Sequence, residues 1–202
     1  MRLLLAHDRD PACPLRLFGA VVMGDPFFLV GRQARPGFRL TDLAQMTLGT
    51  VSEVPTPWWT LQDDIRRAGL DPARLKRVTD RSMAENAAAV AAGTLDVAQV
   101  FEPIVSAMEI AGTGHAWYAQ ASRGPTSYTA FYARSDVIAA KRPAFEAMVR
   151  GLAVTLAWFA KAEPRAILAT IAPFFDDLDP AAASRAIARY RDLGVWTTTP
   201  RF

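Results

Sequence analysis

A chain of 202 residues that is 51% hydrophobic can bury a real core as one domain or two small ones, and 21% charged residues is too few for disorder. The net charge of +3 comes from scattered basic residues, mostly arginine, with no block alternating with aromatics on one face, so no nucleic-acid partner is expected. A single cysteine, Cys13, excludes an internal disulfide framework or thiolate cluster, and the pair His7 and His115 excludes a multi-histidine site. No metal and no cofactor is expected.

The opening residues Arg2 to Ala6 are apolar for four positions and then meet His7-Asp8-Arg9-Asp10, too short and too quickly charged for a signal peptide. The longest apolar stretch, residues 151–160, ends at Lys161 and falls well short of a bilayer span. As written, the chain reads as soluble and cytoplasmic.

Residues 15–23 form an apolar run of strand type ended by Gly24-Asp25-Pro26, and residues 27–31 form a second short one. Pro36-Gly37 marks a turn, and Thr41-Asp42-Leu43 starts one helical turn before a β-branched strand at 47–51. A helix is predicted over 57–68, with Thr56 as its N-cap, Pro57 at its first position and Gly69 just past its end. Ser52-Glu53-Val54-Pro55 is then a direct strand-to-helix junction. Asp71-Pro72 opens a turn into a strand at 75–79. Ser82 and Glu85 form a capping box for an alanine-rich helix that runs to Gly93. A strand at 95–100 leads through Phe101-Glu102-Pro103 to a helix over 104–111, stopped by Gly112. Strands at 115–120 and 127–133 follow, the second alternating through Tyr128, Ala130 and Tyr132.

This alternation predicts βαβ units in a mostly parallel sheet from 27 to about 133, with the strands at 47–51, 75–79 and 95–100 parallel to one another. Beyond it the pattern is helical. Phe145, Met148, Val149, Leu152, Leu156 and Phe159 make one apolar stripe, Pro164 restarts a helix bearing Ile167, Leu168 and Ile171, and Asp179-Pro180 caps a third with Ala183, Ile187 and Tyr190 inward. These helices have no sheet of their own and need a partner surface, which predicts a homodimer through the C-terminal helices.

Three short steps carry a family resemblance: Asp42-Leu43 before a strand, Gly49-Thr50 and a proline-containing turn; Gly69-Leu70-Asp71-Pro72; and Gly93-Thr94-Leu95-Asp96 before another strand. In order and spacing, over residues 15–193, the chain resembles the nitrate/sulfonate/taurine and thiamine-precursor (pyrimidine) substrate-binding family of ABC importers. The resemblance implies a type II periplasmic binding protein-like α/β fold, two lobes joined by two crossovers with a small-molecule ligand clamped between them. Residues 1–25 would be a partial first-lobe segment and crossover, 26–132 the α/β second lobe, and 133–202 C-terminal helices packing on the first lobe or a partner. Most of the first lobe and the export signal have no counterpart in these residues. The resemblance further implies a solute-binding role for a small organic anion or nitrogen heterocycle, an ABC permease as partner and a periplasmic location.

In open α/β sheets ligands bind at the carboxyl edge, which selects the turns at 52–59, 80–82 and 101–103. The expected ligand-binding residues are Ser52, Glu53, Thr56, Trp58, Trp59, Glu102 and Tyr128. Glu102 has two roles open to it: a carboxylate favoured by the dipole in the first turn of a helix, or an acceptor for an amine or ring N–H of the ligand. Trp58 and Trp59 point about 100° apart on their helix, so one faces the core and the other packs on a loop or walls a planar ligand. Tyr128 and Tyr132 are either hinge packing or ligand contacts. No Ser/His/Asp arrangement or paired carboxylates appear, so a binding protein is expected rather than an enzyme. Enzymes on the same architecture remain the alternative: a pyrimidine-phosphate synthase would need a cysteine cluster, and a desulfinase would need Cys13 beside a basic partner. A regulator's sensing domain would need a helix-turn-helix segment absent from this sequence.

Overall fold

The computed structural model describes residues 2–201. Its larger lobe is built on the predicted alternation. β3 (Thr47–Gly49) pairs in parallel with β4 (Lys76–Val78) and with β5 (Val97–Phe101). β2 (Phe27–Gly31) lies between β5 and β6 (His115–Ala119) and runs antiparallel to both, which completes a five-stranded sheet in the order β4-β3-β5-β2-β6. The predicted parallel relation of β3, β4 and β5 is therefore observed, within a mixed sheet.

Strand periodicity divides the core between the two faces of that sheet. Leu29, Leu48 and Val97 point to one face, where they meet Leu61 and Ile65 of α2 (Thr56–Arg67) and Leu43. Phe28, Val30, Ala98 and Val100 point to the other, against Val90 of α3 (Met83–Ala92) and Val105 and Met108 of α4 (Ile104–Ile110). Two close approaches require glycine. A Cβ at Gly31 would lie 1.8 Å from the Trp117 ring, and one at Gly49 would lie 2.5 Å from Asn86 Oδ1 and 2.6 Å from Leu95 Cδ2.

The smaller part is a two-stranded antiparallel ribbon of β1 (Leu15–Val22) and β7 (Thr129–Arg134). Around it lie α1 (Arg2–Arg9), α5 (Ser135–Ala140) and α6 (Arg142–Lys161). The chain ends with α7 (Pro164–Ile171) and α8 (Pro180–Asp192). α1 occupies residues that the sequence left without an element.

Several expectations are corrected. Thr56 does not cap α2; it is the first helical residue, and Pro55, in αR geometry, stands at the cap with no side-chain hydrogen bond. The rings of Pro55 and Pro57 set φ for this entry, so the hydroxyl is not what starts the helix. β5 begins at Val97 rather than residue 95, because Asp96 Oδ2 accepts a hydrogen bond from Thr47 N at 2.7 Å and Leu95 packs beneath Gly49.

The apolar stripe of α6 finds much of its cover within the chain. Phe145 meets Phe18 of β1 at 4.8 Å between ring centroids, Leu152 lies against Gly19, and Phe159 meets Trp196 at 4.4 Å. α8 does not stay with the ribbon either. It packs on α4 and the larger sheet, Tyr190 stacking on Phe28 at 6.2 Å, because its buried residues lead to Val195 in the same core. The segment 133–202 therefore spans both parts.

Candidate functional site

The parallel strands β3, β4 and β5 all end at one edge of the sheet. β2, being antiparallel, starts there, and β6 ends there. Both crossings to the ribbon, residues 23–26 and 120–128, thus reach the same edge as the strand-to-helix turns that open α2, α3 and α4. Unpaired N–H groups and the positive end of a helix dipole favour anions at such helix starts.

Two of the three starts are filled by the protein's own carboxylates. At α3, Ser82 and Glu85 close the predicted capping box, Glu85 Oε2 accepting from Ser82 N at 2.7 Å. These Ser82 hydrogen bonds hold the Glu85 carboxyl below its usual range. Glu53 reaches across to the same helix start, its Oε1 accepting from Met83 N at 2.9 Å. At α4, Glu102 Oε2 accepts from Ser106 N at 2.9 Å, while Oε1 accepts from Ser106 Oγ and Arg189 Nη1, each at 2.9 Å. Burial raises the Glu102 pKa, opposed by the Ser106 hydrogen bonds and the Arg189 charge.

α2 is different. No side chain caps it, and beside its first turn stands Arg77 of β4. The Arg77 Nε and Nη2 donate to Thr50 Oγ1 at 3.3 and 3.2 Å, and its guanidinium carbon lies 3.6 Å from the centroid of the Trp58 ring. Arg77 is half-buried, and that burial lowers its pKa. Among the described residues it forms no ion pair.

A buried polar clamp fixes α2 to the two crossings. Arg123, just after β6, donates from Nε to Asp64 Oδ1 at 2.7 Å, from Nη2 to Asp64 Oδ2 at 2.5 Å and from Nη1 to Asp25 Oδ2 at 2.8 Å. Asp25, in the first crossing, also accepts from Thr60 Oγ1 at 2.6 Å and Gln120 Nε2 at 3.0 Å. Gln99 Nε2 extends the network to Gln120 Oε1 at 2.6 Å and to Pro57 O at 2.8 Å. The Tyr128 hydroxyl is buried nearby with no hydrogen-bond partner, and burial together with the Asp25 charge raises its pKa.

The structure thus separates the seven residues predicted for the site. Ser52, Thr56, Trp58 and Trp59 cluster at the junction into α2, and Tyr128 lies on the second crossing at the same edge. Trp58 is the one that packs against a core cluster, under Arg77, while Trp59 belongs to neither cluster. Glu53 and Glu102 sit on the edge too, but their carboxylates serve helix starts. Glu102 is 5% exposed, and both its oxygens accept hydrogen bonds from Ser106 or Arg189. Sequence reasoning missed Arg77 and the Asp25–Arg123–Asp64 clamp. For Arg77 the available signal was a lone arginine inside a short strand beside a tryptophan-bearing turn.

Surface grooves also lie elsewhere: between β6 and α8, at the opposite sheet edge beside Arg32, Arg35 and Trp117, and between Phe18 and helices α5 and α6. Among the described residues no group of His, Cys, Asp and Glu is arranged to hold a metal ion. Nor is any helix of the described residues long and apolar enough to cross a membrane.

Comparison with known proteins agrees with this architecture. The protein YtlA of Bacillus subtilis (strain 168) is 25% identical over 190 residues, which cover 93% of this chain and 57% of YtlA. The alkanesulfonate-binding protein SsuA from Xanthomonas axonopodis pv. citri, solved bound to MOPS, superposes with a TM-score of 0.66 at 19% identity, covering 88% of this chain and 60% of that one. The desulfurization enzyme DSZB superposes with a TM-score of 0.63 at 15% identity, covering 99% and 71%. The chain therefore spans little more than half the length of its curated relative, and shares the periplasmic-binding-protein-like fold with both solved structures. The sequence profile of the NMT1-like family matches residues 32–173, from the end of β2 into the last helices, and the chain belongs to that family.

Proposed function

We propose that this chain is a solute-binding component of an ABC-type importer, working outside the inner membrane with a permease partner. Its solute, a small organic anion or nitrogen heterocycle, is held at the carboxyl edge of the five-stranded sheet. The observation that carries the reading is convergence. Both crossings, the uncapped start of α2, Arg77 and Tyr128 meet at one edge, tied together by the Asp25–Arg123–Asp64 clamp. The site residues in this reading are Ser52, Thr56, Trp58, Trp59 and Tyr128, joined by Thr50 and Arg77, with Glu53 and Glu102 shaping the neighbouring turns.

Magnitudes bound the affinity. A helix start contributes up to about 2 kcal/mol to an anion, and a charge-assisted hydrogen bond about 1.5–3 kcal/mol. Together these reach roughly the 4 kcal/mol of a millimolar complex, well short of the roughly 8 kcal/mol of a micromolar one. This chain alone is expected to bind in the millimolar range, and a facing lobe that buries the ligand to supply the rest. Titration calorimetry against ethanesulfonate, nitrate and an aminopyrimidine tests this: silence toward all three up to tens of millimolar refutes the solute-binding reading, and micromolar binding refutes the division between lobes.

The enzyme reading has less support in the geometry. A desulfinase-like reaction would use Cys13, which is 6% exposed and precedes β1, whose far end leads to the crossing about 25 Å of strand away.

A further inference from the structure

Resting on the solute-binding reading, we infer that the solute is an oxyanion and that Arg77 is the residue that selects it, its guanidinium held between Thr50 and Trp58. Thr50 Oγ1 takes hydrogen bonds from Nε and Nη2, which fixes the orientation of the guanidinium plane, and the Trp58 ring covers one face of it. Nη1 donates to no described residue. The other arginines tied into the buried polar groups of this lobe are neutralised: Arg123 by Asp25 and Asp64, and Arg189 by Glu102 and Glu109. Arg77 differs from these two: it is a half-buried cation among polar and aromatic neighbours that forms no ion pair among the described residues.

The Thr50 hydrogen bonds and the Trp58 ring stabilise that cation without neutralising it, and an anion supplies the missing opposite charge. Glu85 is committed to Ser82, Glu53 to Met83, and Glu102 to Ser106 and Arg189. The start of α2, without a side-chain cap, opens at the same sheet edge and its dipole favours anions, although Pro57 offers no N–H and Trp59 N already donates to Pro55 O. A cationic solute would be repelled, and a neutral heterocycle would leave the Arg77 charge as unmatched as before. Sulfonates, carboxylates and phosphate esters share the paired oxygens that a guanidinium fork matches.

The test titrates the full chain, at constant ionic strength, with sodium ethanesulfonate, sodium propionate and neutral 4-aminopyrimidine, following tryptophan fluorescence and the melting temperature. The expected result is millimolar binding of at least one oxyanion, weakened tenfold or more in R77Q, with part of the loss recovered in R77K, which keeps the charge but not the fork. Both variants are first checked for cooperative melting, and R77K carries the comparison if R77Q does not fold. Binding of 4-aminopyrimidine with no response to either oxyanion overturns the inference and leaves the solute-binding reading standing. Undiminished oxyanion binding in R77Q removes Arg77 as the selector. Silence toward all three probes overturns the inference together with the reading it rests on.

Discussion

Replacing Arg123 with methionine should be the most damaging single change to the architecture of this site. The arginine side chain is 10% exposed, and its two carboxylate partners are 0% exposed at Asp25 and 4% at Asp64. R123M removes three short hydrogen bonds and leaves two buried carboxylates without their cation. Removing one partner of a buried ion pair costs about 3–5 kcal/mol, mostly because the other charge stays buried. Asp25 keeps Thr60, Gln120 and the Phe27 N–H, which argues for the middle of that range. For a chain of this size each kcal/mol is worth about 2–4 °C, so the melting temperature should fall by roughly 6–20 °C. Urea unfolding followed by far-ultraviolet circular dichroism gives the free energy, and the m-value should be unchanged. Adding D64L to R123M should recover part of the loss, because one stranded charge is then replaced by an apolar side chain. A loss under about 1 kcal/mol in R123M would refute the view that this clamp holds α2 to the crossings.

Glu102 should make stability fall with rising pH, because its folded-state pKa is raised, and the folded protein then binds more protons than the unfolded one from the ordinary glutamate range upward. Wild type should therefore lose stability relative to E102Q as the pH rises from about 4.3, and a flat difference in paired urea titrations would contradict this. Gly31→Ala must displace the Trp117 ring and should cost about 1–3 kcal/mol of unfolding free energy by overpacking; a neutral result would show that the ring can move aside. Tyr190→Phe deletes the donor to the part-buried Pro26 O and the acceptor of the buried Glu102 N, and should cost about 1–3 kcal/mol in thermal melts. Tyr132, Val154, Trp158 and Phe174 remain exposed on the ribbon and helices, so self-association through this side is expected; sedimentation as a clean monomer that binds no apolar dye would contradict it.

Much of the larger lobe was legible because its signals are local. Alternating Phe28, Leu29 and Val30, the Ser82–Glu85 box and the glycine that ends α3 each state their geometry within a few residues. Helix α8 was legible as an element with the correct inward residues. Its destination was not, because an apolar stripe at 3.6 spacing specifies a face without naming the surface it meets. The site shows the same limit. Carboxylates at helix starts were the evident candidates, yet Glu53 and Glu102 are taken up by N–H donors 30 and 4 residues away in sequence. The Arg123 clamp joins residues 59 and 98 positions apart, a pairing that only the folded chain brings together.

The most direct test of the proposed site is amide chemical-shift mapping on the 22.1 kDa chain during titration with ethanesulfonate and, separately, with 4-aminopyrimidine. Binding at the carboxyl edge predicts the largest shifts at Thr50–Trp59, Arg77–Ser82 and the crossing through Tyr128, with the opposite edge unmoved. Shifts concentrated instead at Arg32–Arg35 and Trp117, or between β6 and α8, would contradict the placement of the solute.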